Sequence, residues 1–406
     1  MKQVIVISRL FTGLVFIFSG FVKVIDPTGF AIKLEEYFIA FHMDYFTVLA
    51  MPLAITVCAI ELMTGLNLFF RVHLRFTVWI LLVFMSFFTV LTLVLAVSNP
   101  VSDCGCFGDA VKLTNWQTFF KNIILFLPSL LLFIKRENLS YLFNNKTDLV
   151  FSGINFITGI MIAVFCLMHE PIIDFRPYKT GNNIVELMNI PEGAPVDEYE
   201  ITLVYEKDGK QQEFTQDNYP WQDSTWKWVE TRQKLISKGY EPPVHDFSIT
   251  NSGGSDITDE VLKDSNYVFL IIAPRIEKAS SNGLKKLNDL TLKAKEYGFP
   301  VYCLTSSTNN QINQYKLQNN PAFEVCTMDE TTVKTIMRSN PGLMVLQKGT
   351  VLAKWNFRDV PEANDLKKDV TGLLLFRSRQ VRNILVILVL VLVVLTFYSS
   401  LRFDLF

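Results

Sequence analysis

The sequence predicts a polytopic α-helical membrane bundle that carries an α/β domain outside the bilayer. Long Leu, Phe, Ile and Val runs dominate residues 1–168, six stretches reach the length of a membrane span, and strand-like and helix-like segments alternate from residue 240 onward. A bilayer core of roughly 30 Å needs about 20 apolar residues in helical form. Candidate spans fall at 4–24, 45–70, 74–97, 116–134, 149–168 and 383–400. The average of 50% apolar residues over 406 positions hides this segregation, because the composition changes near His169 to the mixture of charged and apolar residues typical of a soluble domain. The implied organisation is a four-helix bundle at 1–135, a fifth span at 149–168, a β-rich segment at 170–239, an α/β domain at 240–376 and a last span at 383–400.

A formal net charge of −1 offers no basic face to neutralise phosphates, which sets nucleic-acid binding aside and leaves the lipid bilayer as the first partner. The first span reads as a retained helix: Arg9 interrupts its apolar run, and Ser19-Gly20-Phe21-Val22-Lys23 is a poor cleavage site. Six spans place both termini on one side. Lys2, Arg71, Arg75, Lys135, Arg136, Lys146 and Arg402 fall on that side, against Lys23, Lys33 and Lys112 on the other, so the first set is expected in the cytoplasm. The cluster Arg377, Arg379 and Arg382 at the outer end of the last span points the other way. Whatever the orientation, span count puts the loop at 98–115 and the segment at 169–382 in one compartment. For a bacterial inner membrane, that compartment is the periplasm.

Ionisable residues inside spans are costly and usually face a partner or a cavity. Arg9 and Glu61 stand out, at depths of roughly 8 and 13 Å by helical rise, a difference that an Arg side chain can bridge. A buried pair between the first two spans is expected, either as a structural ion pair or as a proton or ligand site. Lys23 is expected to snorkel to the outer interface.

Of the six cysteines, Cys58 and Cys166 lie inside apolar runs, and only Cys104 and Cys106 are close in sequence. In Asp103-Cys104-Gly105-Cys106-Phe107-Gly108-Asp109, two thiols around one Gly can close a small, strained disulfide ring, and strain makes a disulfide more oxidising. Gly105 supplies the backbone freedom for closure. A redox or structural disulfide is the leading reading, and inert thiols or a metal site flanked by two carboxylates are the alternatives. Zinc would want four ligands, and no His or further Cys stands nearby in sequence.

Arg9, Gly13, Ser19-Gly20, Lys23 and Asp26-Pro27 in the first helical region, Glu61 with Gly65 in the next span, and Cys-Gly-Cys-Phe-Gly after the third together resemble the DoxX/MauE family over residues 4–135. The resemblance implies a four-helix membrane bundle, and the MauE branch is associated with maturation of a disulfide-rich methylamine dehydrogenase subunit. An architectural similarity to vitamin K epoxide reductase-type bundles implies thiol redox, with Cys104 and Cys106 as the catalytic pair and a quinone as the cofactor. This chain departs from a plain MauE protein in its fifth span, its outer domain and its sixth span.

In the outer part, Tyr199 to Tyr205 and Gln211 to Thr215 flank Lys207-Asp208-Gly209-Lys210, a strong hairpin signal. Trp221, Trp226 and Trp228 follow, and a packed core is the first expectation for them, a surface patch the second. Strands are expected at 267–273, 300–304, 322–326, 342–346 and 351–355, with helices at 281–297, 310–318, 329–338 and 362–375. That alternation argues for a sheet covered by helices. Pro243-Val244-His245-Asp246-Phe247-Ser248, Gly254, the strand at 267–273 and Asn340-Pro341 ahead of a strand resemble the peroxiredoxin/TlpA-like branch of the thioredoxin fold over residues 240–375. The resemblance makes Pro341 a cis-proline that grips partner backbone. It places the active-site cysteines at 273–279, where this chain reads Ala-Pro-Arg-Ile-Glu-Lys-Ala and has none. Cys303 and Cys326 end core strands and read as small buried thiols. The domain is therefore expected to bind rather than catalyse.

Two functional readings follow. In one, Cys104 and Cys106 form a redox pair in a membrane thiol–disulfide oxidoreductase whose outer domain recruits envelope protein clients. In the other, the chain is a non-enzymatic accessory or scaffold subunit of an envelope complex with a structural disulfide. A third, weaker idea makes the Arg9 and Glu61 region a transport or lipophile site.

Overall fold

A computed structural model of the protein describes residues 2–101, 103–139, 145–237, 239–368, 370 and 391. Apart from residue 391, the expected span at 383–400 lies outside the described residues, as do Arg377, Arg379, Arg382 and Arg402. The chain divides into two compact units, one formed by Met1–Asn182 with Ser248–Phe406 and the other by Asn183–Phe247.

The first unit opens with the bundle: α1 (Lys2–Ile25), α2 (Pro27–Ala40), a 3-10 turn at Asp44–Leu49, α3 (Ala50–Phe70), α4 (Leu74–Ser98), α5 (Asn115–Ile134) and α6 (Asn145–Met168). Five helical stretches among the described residues are long and apolar enough to cross a membrane: Lys2–Ile25, Asp44–Phe70, Leu74–Ser98, Asn115–Ile134 and Lys146–Met168. Helices pack in lipid by close backbone approach at small residues. Gly20 and Gly65 provide that approach between α1 and α3. A Cβ on Gly20 would lie 2.5 Å from the Leu62 backbone nitrogen, and one on Gly65 would strike the Ile17 backbone. Polar side chains hold α6 to α3, where the Asn67 amide donates to Ser152 Oγ at 2.8 Å and accepts from Asn155 at 2.8 Å.

Helix α2 was not among the expected elements, and its start is nonetheless written in the sequence. The Asp26 carboxylate accepts from Gly29 N–H at 3.0 Å as the N-cap, and Pro27 sits at the first helical position, where its missing N–H costs nothing. At 14 residues the helix is too short to span.

The second unit holds α7 (Ile184–Met188) and a three-stranded antiparallel sheet of β1 (Glu198–Lys207), β2 (Lys210–Thr215) and β3 (Lys227–Ser237), in the order β2-β1-β3. The expected hairpin is present with Lys207 opposite Lys210. Asp208 and Gly209 both take positive φ, 53° and 74°, as the favoured two-residue turn requires. Strand β3 was not expected. It turns Trp228 outward, and Trp221 and Trp228 are 71% and 60% exposed, which corrects the core expectation for both. Strand β3 is exposed along its whole length, and among the described residues Trp226 is the one of the three tryptophans with an aromatic partner, edge-on against Phe214 with ring centroids 5.2 Å apart.

Back in the first unit, the chain forms α8 (Thr258–Lys263), β4 (Val268–Ile272), α9 (Ser281–Glu296), β5 (Val301–Thr305), α10 (Asn309–Asn319), β6 (Glu324–Thr327), α11 (Glu330–Ile336), β7 (Gly342–Gln347) and β8 (Thr350–Asn356). The sheet order is β6-β5-β4-β7-β8, with β4, β5 and β6 parallel, β7 antiparallel to β4, and β8 antiparallel to β7. This is a thioredoxin-like arrangement. Every residue of the central strand β4 is buried, as its uninterrupted Val-Phe-Leu-Ile-Ile run requires of a strand covered on both faces. Cys303 and Cys326 are fully buried free thiols. The helix expected at 362–375 is absent from its described part, residues 362–368 and 370: only a 3-10 turn forms at Ala363–Asp365. Val370 takes a φ of 50°, which no α-helix accommodates, and Leu366 and Val370 join the domain core.

Candidate functional site at the outer end of the bundle

Cys104 and Cys106 are disulfide-bonded, with Cα atoms 5.4 Å apart. The loop between α4 and α5 that carries them folds against α1 and α2. Tyr37 Oη of α2 donates to the Cys104 carbonyl at 2.6 Å, and Ser19 Oγ of α1 donates to the Cys106 carbonyl at 2.7 Å. Gly105 has a φ of +63°, and a Cβ there would meet Lys33 Cγ at 3.0 Å, so the ring needs glycine for both conformation and space. The Asp103 carboxylate accepts from Gly105 N–H at 2.9 Å and pairs with Lys33 at 3.3 Å. Burial, with the charges of Asp103 and Glu36, pushes the Tyr37 hydroxyl far above its ordinary pKa, so it remains a proton-bearing donor.

Behind the disulfide lies a cavity of about 280 Å³, walled largely by aromatic and aliphatic side chains such as Phe16, Phe30, Phe84, Phe88, Leu91 and Leu125. Both cysteines line it. So do Ser19, Tyr37, Lys23, Glu61 and Lys121. Leu53 and Phe87, 38% and 62% exposed on helices that face lipid, also line it, so the cavity reaches the lipid-facing surface of the bundle.

Glu61 is paired with Lys23, not with Arg9. Lys23 Nζ lies 2.7 Å from Glu61 Oε2 and donates to Ser19 Oγ at 3.2 Å, giving a continuous polar path from Glu61 to the Cys106 carbonyl. Lys23 and Glu61 are 4% and 6% exposed, which corrects the expectation that Lys23 reaches the interface. Arg9 instead donates to the Phe69 carbonyl at 2.8 Å and to that of Leu68, at the end of α3 where helical carbonyls lack partners. The glycine contacts explain the exchange. The approaches of Gly20 to Leu62 and of Gly13 to Phe69 fix a register in which Glu61 is level with Lys23 and Arg9 is level with the helix end.

Helix α2 separates this cavity from a second, more polar cleft of about 530 Å³. Phe30, Leu34 and Tyr37 face the cavity, whereas Thr28, Ile32 and Glu35 line the cleft opposite Pro274, Arg275 and Lys278 of the thioredoxin-like domain. The cysteine-free segment 273–279 thus faces the chain's own bundle. Next to it, the Asn340–Pro341 peptide is cis. Arg338 closes the contact: its Nη2 lies 2.8 Å from Asp26 Oδ2 and 3.1 Å from Asp109 Oδ2, and its Nε donates to Asp26 Oδ1 at 3.1 Å. The domain is therefore fastened to the turn that follows the disulfide, in the compartment shared with the loop. Burial alone would raise the Asp26 carboxyl, but the guanidinium groups of Arg338 and Arg176 hold it below its ordinary value. A second buried cluster fastens the exit of α6 to β8, where Asp174 pairs with Arg176 at 2.7 Å and with Lys354 at 2.8 Å. Among the described residues no group of three or more His, Cys, Asp or Glu could hold a metal ion.

Residues 1–135 match the family described as methylamine utilisation protein MauE. The matched part ends with α5, so the MauE-like region is the bundle without α6. Residues 199–238, the sheet of the second unit, match a domain of unknown function (DUF8463). No curated protein matches the chain. Among solved structures, a Chlorobium tepidum protein described as thiol:disulfide interchange protein DsbE is 17% identical and covers 27% of this chain and 80% of its own, with a TM-score of 0.23. The Xanthomonas campestris bacterioferritin comigratory protein is 12% identical over 34% of this chain and 91% of its own, also with a TM-score of 0.23. A Xanthomonas campestris peroxiredoxin Q gives 12% identity, 32% and 88% coverage and the same TM-score. The thioredoxin-like assignment rests on strand order and direction.

Of the residues that the sequence singled out for chemistry, Cys104, Cys106 and Glu61 line the cavity, whereas Arg9 and Pro341 lie outside its lining, and the sequence assigned no such role to Tyr37, Ser19, Lys121 and Arg338. Of these, Ser19 stood four residues before Lys23 on the same face of α1, a detectable signal. Arg338 carried none, since its partners are distant in sequence.

Proposed function

We propose that the MauE-like region is a membrane thiol–disulfide redox component that oxidises client thiols outside the cytoplasm through Cys104 and Cys106. The observation that carries this reading is the position of the disulfide, which forms one wall of an apolar, lipid-reaching cavity while Cys106 is only partly buried. Cys104 is 5% exposed and packs with Tyr37 and Leu95. A client thiolate therefore attacks Cys106 Sγ, the Cys104–Cys106 bond breaks, and Cys104 leaves as the thiolate. A second client thiol then resolves the mixed disulfide, so the client is oxidised and both cysteines are reduced. Tyr37 and Ser19 keep hold of the two carbonyls throughout, which leaves the sulfurs free to part and rejoin over a fixed backbone.

The cavity suits a quinone as electron acceptor: it is walled by aromatic rings, reaches lipid and presents the ammonium groups of Lys23 and Lys121 in the same cavity as both sulfurs. Such a cofactor supplies an acceptor for the two electrons and two protons of the dithiol as the disulfide re-forms. The outer orientation, in the periplasm with both termini in the cytoplasm, agrees with the charge of the short loops and with the persistence of disulfides there. The thioredoxin-like domain has no cysteine at 273–279, and the side carrying cis-Pro341 is docked on the bundle, so its role is to brace the loop and offer the cleft at Asn340 to envelope clients.

Thiol trapping of Cys104 and Cys106 in native membranes tests the proposal. Cycling between states, with reoxidation that depends on added quinone, is expected. A pair that stays oxidised under client thiols, in a protein whose Cys104→Ala, Cys106→Ala double variant is fully functional, would instead select the scaffold reading.

A further inference from the structure

The cavity holds one more cation than the ion pair uses. Lys23 and Glu61 neutralise each other at 2.7 Å, but Lys121, in the second turn of α5, has no carboxylate within ion-pair distance among the described residues. Its Nζ lies 4.5 Å from the centroid of the Phe107 ring, and Phe107 directly follows Cys106. A ring face offers an ammonium only part of the stabilisation that water or a carboxylate would give. The charge sits near the disulfide, because Lys121 contacts the ring of Phe107, the neighbour of Cys106, and both cysteines line the same cavity. In surroundings of low dielectric, an uncompensated cation strongly favours a ligand oxygen that carries negative charge.

We infer that Lys121 forms the headgroup subsite of this cavity and selects a lipophile whose polar end bears an anionic oxygen. A deprotonated hydroxyquinone and a fatty-acid carboxylate share that chemistry. The proposal rests on the redox reading only for preferring the first. Two features beyond charge support it. The walls adjoining Lys121 include Asn122 and Leu125 of the same helix, one polar and one apolar, so the head-to-tail polarity of the ligand is matched along α5. Moreover, the Asn122 amide is already committed to Phe88 O at 3.2 Å and Thr92 Oγ1 at 3.0 Å, which leaves Lys121 as the donor with no competing hydrogen-bond acceptor among the described residues.

The experiment is equilibrium binding to the full chain in nanodiscs, monitored by ligand absorbance, with three probes: a 2-hydroxy-3-alkyl-1,4-naphthoquinone in its anionic form, the neutral 2-methyl-1,4-naphthoquinone and dodecanoate. Wild type should bind the anionic quinone more tightly than the neutral one. Lys121→Met should weaken the anionic probe by roughly tenfold or more and the neutral probe by less than about threefold, while Lys121→Arg retains most of the affinity. Reoxidation of the reduced cysteines by diamide, a small soluble oxidant, should be unchanged in Lys121→Met, which separates a headgroup contact from a role in holding the loop. Equal losses for both quinones, or an anionic probe unaffected by Lys121→Met, would overturn the inference. Dodecanoate bound as tightly as the hydroxyquinone, with the same Lys121 dependence, supports the subsite and assigns it to a carboxylate lipid. If Lys121 selects the anionic quinone yet the cysteines never cycle with quinone, the redox reading fails and the subsite stands.

Discussion

The Arg338 guanidinium makes a paired contact with the Asp26 carboxylate, Nη2 to Oδ2 at 2.8 Å and Nε to Oδ1 at 3.1 Å, across 312 residues of sequence. Asp26 is also the N-cap of α2, so one carboxylate both starts the helix that walls the cavity and anchors the outer domain. Arg338→Ala removes a charge-assisted bidentate contact and leaves Asp26 and Asp109 without it, a loss of about 1.5–3 kcal/mol. Limited proteolysis of the outer domain should accelerate in the variant, and Arg338→Lys, which cannot reproduce the fork, should rescue little. Unchanged cleavage would mean that the contact does not hold the domain.

Glu61→Gln strands Lys23 in an apolar cavity. Breaking one side of a buried pair typically costs about 3–5 kcal/mol, whereas replacing both sides by apolar groups is often near neutral. The single variant should lower the thermal midpoint in detergent, and the double variant Lys23→Met, Glu61→Leu should recover most of it. A double variant less stable than either single one would show that the pair is not the source of the loss.

Gly65→Val should disrupt the bundle more than any lipid-facing substitution, because its side chain would enter the Ile17 backbone of α1. The expected signs are loss of detergent-stable protein and a reduced melting temperature. Gly153→Val, at a position of α6 where a Cβ meets nothing within 4 Å, serves as the neutral control.

Acid should loosen the attachment of the outer domain. Burial alone would raise the carboxyls of Asp26 and Asp174, but the cations facing them, Arg338 and Arg176 for Asp26 and Arg176 and Lys354 for Asp174, hold both below the ordinary 3.8. A carboxyl depressed in the folded state binds its proton less readily than in the unfolded chain, so its contribution is fully present above about pH 4–5 and disappears as pH falls through the lower folded value. Tryptophan fluorescence against pH should show a transition below about pH 4. Asp174→Asn should flatten its acid limb while lowering stability at neutral pH, since Arg176 is buried and loses its closest partner. An acid limb identical in the variant would assign the transition elsewhere.

Cys104→Ala and Cys106→Ala should behave differently. With Cys106 retained, the partly exposed thiol should capture a client as a mixed disulfide; with Cys104 retained, the buried thiol should not. Non-reducing gels of membranes expressing each variant give the answer, and equal trapping by both would remove the assigned order of attack.

The sequence by itself determined what depends on local pattern. Apolar run length specified the five described spans, and the Asp-Gly turn specified the β1–β2 hairpin. Buried strand runs pointed to a sheet covered by helices, the Asn-Pro step with its neighbours resembled a thioredoxin-like domain, and the spacing of Cys104 and Cys106 allowed a ring. What it left open depends on which residues meet across helices. The Arg9–Glu61 pairing looked sound from depth along the helix axis, but depth does not fix rotation or register. The close approach at Gly20 and Gly65 fixes both and delivers Lys23 to Glu61. In the same way, Tyr37, Lys121 and Arg338 were three unremarkable side chains until tertiary folding brought α2, α5 and the loop before β7 around one disulfide. Their roles arise from electrostatics and hydrogen bonding between segments far apart in sequence, where periodicity carries no information.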